Sequence, residues 1–184
     1  MTDNQKIEYG IYNLDFFLKP YGHITANLCF NLKNFLFKKF SELDNKYNFY
    51  LDLKDTDYMD STFIGLIIGI EKKLNSLFNK HLIIINANET SFKLLKNMGL
   101  NKILIFDNKA LPDEISFLEI DLNNEIEDIE KTKLILSTHK ELSSISEENR
   151  EKFKTLEEVL EKELNDKINK DKWLKKHFLL LYFF

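Results

Sequence analysis

The stretch that decides the fold is Phe49–Gly69, which reads FYLDLKDTDYMDSTFIGLIIG. Its first residues, up to Leu53, are aromatic and apolar types that favour a buried strand. An acidic segment follows and ends in Asp60, Ser61 and Thr62, which are residue types favoured at a helix N-cap. Beyond them, apolar residues recur at the three- and four-residue steps of a helix, at Ile67, Ile70, Leu74 and Leu77. We therefore predict a strand, an acidic loop and a helix that begins at two adjacent hydroxyl residues.

Strands and helices alternate on both sides of this stretch, which is typical of an α/β fold. The other predicted elements, in chain order, are strands at Ile7–Asn13 and Phe16–Leu18, a helix after Thr25, a strand at His81–Ile85, a helix at Ser91–Met98 and a strand at Ile103–Phe106. Gly99 stands where a left-handed residue commonly ends a helix. The alternation predicts that residues 1–110 form an α/β domain with a mostly parallel sheet and helices packed on it.

Residues 111–184 differ in composition, because Glu and Lys dominate and helix-period apolar residues recur. The pattern predicts one helix over Ile126–Leu142 and a second helix with an apolar stripe over Phe153–Ile168. Ser144 and Glu147 have the spacing of a capping box between them. We predict a helical extension in the form of a hairpin. Because amphipathic helices gain most of their stability from packing, we expect it to dock on the α/β domain or on a second subunit.

The last residues, Trp173–Phe184, are mostly apolar and include Lys175 and Lys176. The run is far shorter than the ~20 residues that a membrane span needs. Two readings remain open: burial against the domain or a second copy, which we favour, and peripheral anchoring to a membrane.

The composition argues against several functional classes. With 30 acidic and 26 basic side chains the net charge is −4, and no basic stripe predicts a nucleic-acid partner. One cysteine and four scattered histidines lack metal-ligand spacing, so we expect no metal site and no cofactor. Neither a glycine-rich phosphate loop nor a nucleophile elbow is present, which argues against an enzyme. The lone cysteine and the lack of a secretory leader predict a cytoplasmic protein.

Ser61 is the residue for which two interpretations remain open. In the first, Asp60, Ser61 and Thr62 only cap the helix. In the second, Ser61 is phosphorylated, because the N-terminus of a helix favours an anionic group. A phosphoryl group would add roughly −1.5 to −2 charges near Asp57 and Asp60. Its field would change what can dock on this surface.

The segment DLKDTDYMDST, followed by Ile64, Gly65, Leu66 and Gly69, resembles the anti-sigma factor antagonist (STAS) domains. Those domains carry a strand, a short acidic loop and an Asp-Ser-Ser/Thr-Gly motif that opens a helix. The similarity continues in SFKLLKNMGLNKILIF and in the glycine-led segment Gly22–Thr25, and it spans about residues 5–108. The segment HKELSSISEENREKF resembles C-terminal helices of some bacterial members.

This resemblance implies a STAS-like fold and a role as an anti-sigma factor antagonist. It implies that Ser61 is phosphorylated by a partner kinase that is itself an anti-sigma factor. The unphosphorylated form would bind this kinase and release a sigma factor, and a serine phosphatase would act on the phosphorylated form. A homodimer is a further possible assembly. We expect the partner-binding surface to include Asp60, Thr62, Phe63, Ile64, Gly65 and Ile68.

Phe63 departs from the family pattern, which usually has glycine after the hydroxyl pair. A ring at this position either fills a gap in the core or stands at the docking surface. We predict that Phe63 is at least partly exposed near Ser61 and serves as an apolar anchor for the partner.

Two other functions fit parts of the sequence. One is a STAS scaffold or sensor that binds a small ligand or assembles with copies of itself and is never phosphorylated. The other is a receiver domain whose phosphoacceptor is Asp52 or Asp55. A receiver needs an acidic pair after its first strand and a lysine after its last. Asp15 stands alone in the first region, and Lys109 follows the last strand only loosely, so the receiver fits less well.

Overall fold

The computed structural model describes residues 5–182, with side chains described up to residue 173. The elements in chain order are β1 (Lys6–Tyr12), β2 (Asp15–Ile24), α1 (Ala26–Glu42), β3 (Asn48–Asp52), β4 (Thr56–Met59), α2 (Ser61–Phe78), β5 (Leu82–Ile85), α3 (Glu89–Asn97), a 3₁₀ turn (Leu100–Lys102), β6 (Ile105–Asp107), β7 (Leu118–Glu119), α4 (Asp128–Ser143) and α5 (Glu147–Tyr182). This order confirms the predicted α/β fold with a C-terminal helical extension.

Within residues 5–182, seven strands form one sheet in the spatial order β6-β5-β3-β2-β1-β7, and β4 pairs with the last residues of β2. Strands β2, β3, β5 and β6 run parallel to one another. Strand β1 is antiparallel to both of its neighbours, β2 and β7. The sheet is therefore mostly parallel, as predicted.

The central strands are buried on both faces, as parallel strands usually are. On one face, side chains such as Phe16 and Phe49 meet α1 and α2 in the main core. On the other face, Phe17 and Tyr50 stack with their ring centroids 4.9 Å apart. This second cluster is covered by apolar residues of the connection to β7, namely Leu111, Ile115 and Phe117. The sheet thus contributes to two separate layers of packing.

The segment between β3 and α2 is more regular than we predicted. In place of an acidic loop, it contains β4, which pairs parallel to β2 with Met59 opposite Ile24. Thr56 and Met59 are buried, whereas Asp57 and Tyr58 are exposed. The prediction of a loop was wrong because Asp is depleted in strands, while the pairing with β2 decides the local conformation.

Helices α4 and α5 form the predicted hairpin. They run antiparallel, because Lys140 pairs with Glu161 at 2.6 Å and Lys167 Nζ donates to Thr132 Oγ1 at 3.0 Å. Helix α4 lies on α2, and α5 packs on α4. The extension therefore docks on the α/β domain, which is one of the two sites that we predicted.

The connection that precedes α4 is attached to the sheet and to α1. Strand β7 within it was not predicted, and it pairs with β1. The Asn31 side chain donates hydrogen bonds to the carbonyl oxygens of Leu122 and Asn124, at 2.7 and 3.0 Å. The chain after residue 110 is thus not purely helical, and the division into domains at that residue stays a prediction.

Details at the helix ends differ from the prediction in one case. Gly99 has a φ of 78°, which confirms the left-handed conformation after α3. The capping box at Ser144 and Glu147 is wrong, because Ser144 ends α4. Ser146 Oγ accepts the N–H of Asn149 instead, at 3.1 Å. In the apolar tail, Trp173 is 57% exposed, and the other side chains lie outside the described residues.

The closest fit between α2 and α4 generates a first prediction. A Cβ atom at Gly65 would lie 2.2 Å from the carbonyl oxygen of Thr138, whereas a Cβ atom at Gly69 would meet nothing within 4 Å. We expect Gly65→Ala to lower the free energy of unfolding by about 1–3 kcal/mol, because the α4 backbone must shift. The matched variant Gly69→Ala should raise it by up to about 1 kcal/mol through helix propensity. Urea unfolding of both variants checks this, and equal effects would contradict the close docking of α4.

Candidate functional site

The site begins with the carboxylate of Asp60, which caps two helices. Its Oδ1 accepts the N–H of Phe63 in α2 at 2.9 Å, and its Oδ2 accepts the N–H of Ala26 in α1 at 2.7 Å. Thr25 occupies the N-cap position of α1, but its side chain makes no capping hydrogen bond. One side chain therefore satisfies N–H groups at two helix N-termini, which would otherwise lack partners.

Strands β2 and β4 explain why the two helices begin at the same place. Ile24 and Met59 are paired at the ends of these parallel strands, and each strand leads directly into a helix. The N–H of Asp60 donates to the carbonyl oxygen of Ile24 at 3.1 Å, which holds the two exits together. Ser61 is therefore placed at the first position of α2 by the sheet.

The Ser61 hydroxyl contacts the C-terminal extension. Its Oγ lies 2.8 Å from Nε2 of His139, which belongs to α4. Nδ1 of the same ring lies 2.7 Å from the carbonyl oxygen of Ile135. Since a carbonyl oxygen only accepts, Nδ1 carries a proton, and a ring with that single proton accepts the Ser61 hydroxyl at Nε2. The hydroxyl of Ser61 thus joins α2 to α4.

His139 is held in place by α5. The ring of Phe153 meets the imidazole edge-on, with centroids 5.1 Å apart. Both side chains are buried, with exposed fractions of 2% for His139 and 6% for Phe153. Ser61, His139 and Phe153 therefore form a continuous chain of contacts from α2 through α4 to α5.

A groove lies beside this contact, between α1, α2 and α4. It encloses about 350 Å³, and its lining includes Gly65, Gly69, Leu66 and Leu134. Lysines from α1 and α2 stand around it, together with Glu141 of α4, to which Lys72 is paired. Ser61 and His139 do not line this groove. The Ser61–His139 pair has the hydrogen-bonding pattern of a nucleophile and a base, but this groove gives no substrate access to it.

The predicted exposure of Phe63 is wrong, because its side chain is fully buried. The ring lines an interior space together with Phe16, Phe49 and Ile70, and only about 10 Å³ remains free there. The cause is the Asp60 cap, which fixes the first turn of α2 so that Phe63 points towards the sheet. Phe63 fills the core where the family pattern has glycine, and it offers no anchor to a partner in this conformation.

The other predicted partner-binding residues have different surroundings. Thr62, Ile64 and Ile68 are buried, with at most 4% of each exposed. Gly65 is buried against Thr138. Of the predicted partner-binding residues, Asp60 alone is half-exposed, as is the neighbouring Ser61. The six predicted positions run from the N-cap of α2 to Ile68, and the hairpin and the core already cover most of them.

Two of the acidic residues before α2, Asp52 and Asp55, have partners of their own. Asp55 pairs with Lys19 at 2.9 Å. Asp57 is exposed on β4. Asp52 is buried, and its Oδ1 accepts the N–H of Lys54 at 3.0 Å. Asp60 adjoins the serine and Asp57 is exposed, so these two carboxylates are the ones that can form the expected acidic surface.

Asp52 lies at the base of a different pocket, at the carboxyl end of β3. This pocket encloses about 430 Å³ and is lined by Lys19, Lys54, Lys109, Asn86 and Asn108, among others. Oδ2 of Asp52 is buried and has no hydrogen-bond partner within the described chain. Burial raises the pKa of this carboxyl above its ordinary value. The pocket is polar and lies at the edge of the sheet where α/β proteins commonly bind ligands.

The geometry of the receiver alternative is absent from this pocket. Lys109 Nζ pairs with Asp15 at 2.7 Å and lies 3.8 Å from the centre of the Tyr50 ring. Asp15 lies at the start of β2 and not at its carboxyl end. The lysine and the acidic residue that a receiver needs therefore do not converge on a phosphoacceptor.

The described residues offer neither a metal-binding cluster nor a membrane-spanning helix. No group of three or more His, Cys, Asp or Glu side chains is placed to hold a metal ion. Among the same residues, no helix combines the length and apolar character needed to cross a bilayer.

Sequence reasoning missed the α4 side of the site. His139 carried no local signal, because it is one of four scattered histidines. Gly65 and Gly69 lie four residues apart on one face of α2, and of the two Gly65 is the one that packs closely against a neighbour. The identity of the neighbouring helix depends on how the hairpin folds back, and residue spacing does not predict it.

The fold and the site define an α/β module whose first-turn serine on α2 is engaged by its own C-terminal hairpin. Among solved structures, the chain is similar to the unphosphorylated form of the anti-sigma factor antagonist SpoIIAA, with 13% identity, a TM-score of 0.49, and coverage of 56% of this chain and 89% of the other. It is also similar to a candidate anti-sigma factor antagonist from Thermotoga maritima, with 24% identity, a TM-score of 0.48, and coverage of 54% and 85%. No protein-family model and no curated protein matches the chain. Neither structural similarity assigns a partner or a modified residue here.

The shared cap generates a second prediction. Asn and Asp are about equally good as N-caps, so a residue that capped only α2 would tolerate Asp60→Asn. Because both oxygens of Asp60 accept N–H groups, the amide must instead face one N–H with its own donors. We expect Asp60→Asn to cost about 1 kcal/mol and Asp60→Ala about 1–4 kcal/mol of unfolding free energy. Urea unfolding with Asp57→Asn as the exposed control measures this, and a neutral Asp60→Asn would contradict the double cap.

The burial of Phe63 generates a third prediction. We expect Phe63→Gly to lower the free energy of unfolding by about 4 kcal/mol or more, since it removes a buried ring and adds glycine to a helix. Leu77→Gly, in the last turn of the same helix, is the control, because Leu77 is 47% exposed. It should lose only about 1 kcal/mol. Equal losses in denaturant titrations would mean that Phe63 does not support the core.

Proposed function

We propose that the chain is an anti-sigma factor antagonist whose docking element is the start of α2 and whose switch is phosphorylation of Ser61. In this proposal the unphosphorylated form binds an anti-sigma serine kinase, and that kinase phosphorylates Ser61 and is released. A serine phosphatase then restores the binding form. The proposal builds on the resemblance of the segment DLKDTDYMDST to the family motif.

The single observation that supports it best is the engagement of the Ser61 hydroxyl by another helix. Ser61 donates to His139 at 2.8 Å, so the start of α2 already serves as a docking surface for a helix. Ser61 is half-exposed, whereas the hydroxyl residue beside it, Thr62, is buried. Ser61 is therefore the hydroxyl of this pair that a kinase can reach with the smaller displacement.

Electrostatics explains how phosphorylation would act. A phosphoryl group at the N-terminus of α2 is favoured by the helix by about 0.3–1 kcal/mol, so the fold should tolerate it. It also stands beside the carboxylate of Asp60 and adds roughly −1.5 to −2 charges. Like charges brought together at an interface cost several kcal/mol. The loss of docking should therefore exceed the gain at the helix.

A second candidate function is a small-ligand sensor, which the pocket beside Asp52 favours. Asp52 lines the pocket, and the side-chain amides of Asn86 and Asn108 beside it can donate and accept hydrogen bonds with a polar ligand. The ammonium groups of Lys19 and Lys54 line the same pocket and would attract an anionic group of that ligand. A sensor of this kind needs no phosphorylation of Ser61.

A fourth prediction separates the two. The kinase recovered from native cells with the Ser61→Ala chain is titrated with the full chain carrying serine or genetically encoded phosphoserine at position 61. We expect phosphoserine to weaken binding by about 100-fold or more, because each ~1.4 kcal/mol is tenfold. Ser61→Asp should weaken it in part, and Thr62→Ala should remain a substrate. Circular dichroism should be unchanged by the phosphate.

Equal affinity for the serine and phosphoserine forms would contradict the switch. That result would leave the sensor or a self-assembling scaffold as the function. A dimer in sedimentation, without any kinase in the pull-down, would favour the scaffold.

A further inference from the structure

Helix α4 covers the surface that the proposed function assigns to a partner. It makes three kinds of contact along α2: the Ser61 hydroxyl bonds to His139, Gly65 lies under Thr138, and Lys72 pairs with Glu141. These contacts begin at the first residue of α2 and extend over three turns. A second helix cannot occupy this face while α4 is there.

We infer that the α4–α5 hairpin is an internal competitor of the partner, and that modification of Ser61 releases it. This inference rests on the function proposed above and adds its regulation. The start of α2 is covered by α4 in the closed chain, by the partner in the complex, and carries the phosphate in the phosphorylated chain. Only one of α4, the partner and the phosphate can occupy the start of α2 at a time.

The chemistry of the Ser61–His139 contact makes phosphate and α4 incompatible. With a single ring proton on Nδ1, which faces the carbonyl oxygen of Ile135, the contact uses the hydroxyl proton of Ser61. A phosphate ester has no proton on that oxygen, so the hydrogen bond is lost. The phosphoryl group also needs space where the two atoms are 2.8 Å apart. Gly65 and Thr138 are already in close contact nearby, so α4 cannot make that space by a small shift on α2.

The connection before α4 supplies a point about which the hairpin can move. Residues 120–124 are held by the domain, since Ile120 and Leu122 are buried and Asn31 binds the carbonyl oxygens of Leu122 and Asn124. Between Asn124 and α4 the chain has no regular structure. The hairpin can therefore leave α2 while β7 and its flanks stay in place.

The hairpin is built to move as one body. Within it, Lys140 pairs with Glu161, Lys167 bonds to Thr132 and Ser143 bonds to Glu157. Outside α2, its turn is held at the end of α3, where Asn149 Nδ2 donates to the carbonyl oxygen of Met98 at 3.0 Å. Lys152 Nζ also contacts Met98 Sδ at 3.7 Å, and α4 touches α1. Release thus requires the contacts with α2, with α1 and with the end of α3 to break together.

The same contacts describe the partner that would fit. Gly65 permits backbone-to-backbone approach, so the docking element of the partner is an α-helix with a small residue at the crossing point. It also presents a hydrogen-bond acceptor to the Ser61 hydroxyl, as His139 does. Because the partner binds only the open form, its apparent affinity falls by the fraction of chains that are open.

Hydrogen exchange measured by mass spectrometry tests the release of the hairpin without any partner. The full chain is compared in four forms: serine at position 61, genetically encoded phosphoserine at position 61, Leu134→Asp and Val159→Asp. Leu134 is a buried α4 residue that becomes exposed on opening, and Val159 is the control on α5 because it is 57% exposed. We expect amides of α4 to exchange about tenfold faster or more in the phosphoserine and Leu134→Asp forms. Exchange rates of the β3 and β5 amides should be the same in all four forms. The Val159→Asp form should exchange at the same rates as the unmodified chain throughout.

Unchanged protection of α4 in the phosphoserine form would overturn the inference, and faster exchange in β3 and β5 as well would show general unfolding and overturn it too. A second arm measures affinity for the kinase with Ser61 unmodified. Leu134→Asp should bind the kinase at least about tenfold more tightly, because it raises the fraction of chains with an undocked hairpin and leaves the sequence of α2 unchanged. Equal binding by Leu134→Asp and Val159→Asp would overturn the competition. If α4 opens on phosphorylation but no form binds the kinase, the proposed function fails and the release of the hairpin stands.

Discussion

The carboxylate of Asp60 accepts N–H groups from two helices, 2.7 Å from Ala26 and 2.9 Å from Phe63. Parallel pairing of β2 with β4 brings the two helix starts together, and the shared acceptor satisfies donors from both. Several other features depend on this arrangement. It sets the rotation of α2 about its axis, so that Phe63 enters the core while Ser61 and Gly65 face α4.

Once α2 is oriented in this way, its outer face needs cover. The face is apolar, and Gly65 leaves room for a second backbone. Helix α4 fills that room, and α5 then buries the outer side of α4 through Phe153 and Leu160. Packing of this kind gives amphipathic helices most of their stability. The hairpin therefore stabilises the chain and occupies its docking surface with the same contacts.

The regions that follow the carboxyl ends of β3 and β4 differ in their chemistry. Beside α2, polar groups are shared between backbone and side chains, and the serine is hydrogen-bonded to the imidazole of His139. At the carboxyl end of β3, Asp52 is buried with one oxygen unpartnered, and burial raises its pKa. The first region suits a contact that is made and broken by a change of charge. The second suits a small polar ligand, and the lysines at its rim are placed to attract an anion.

Much of the architecture was predictable because hydrophobic period and turn residues are local properties. They located the helices, most strands, the left-handed Gly99 and the hairpin, and they marked Asp60 and Ser61 as the start of a helix. The sequence could not decide the direction in which Phe63 points, the strand at Thr56–Met59, or the contact of Ser61 with His139 across 78 residues. Each of these depends on which element lies alongside in space. Local sequence determined where helices begin and end, and long-range packing decided which of their faces is exposed.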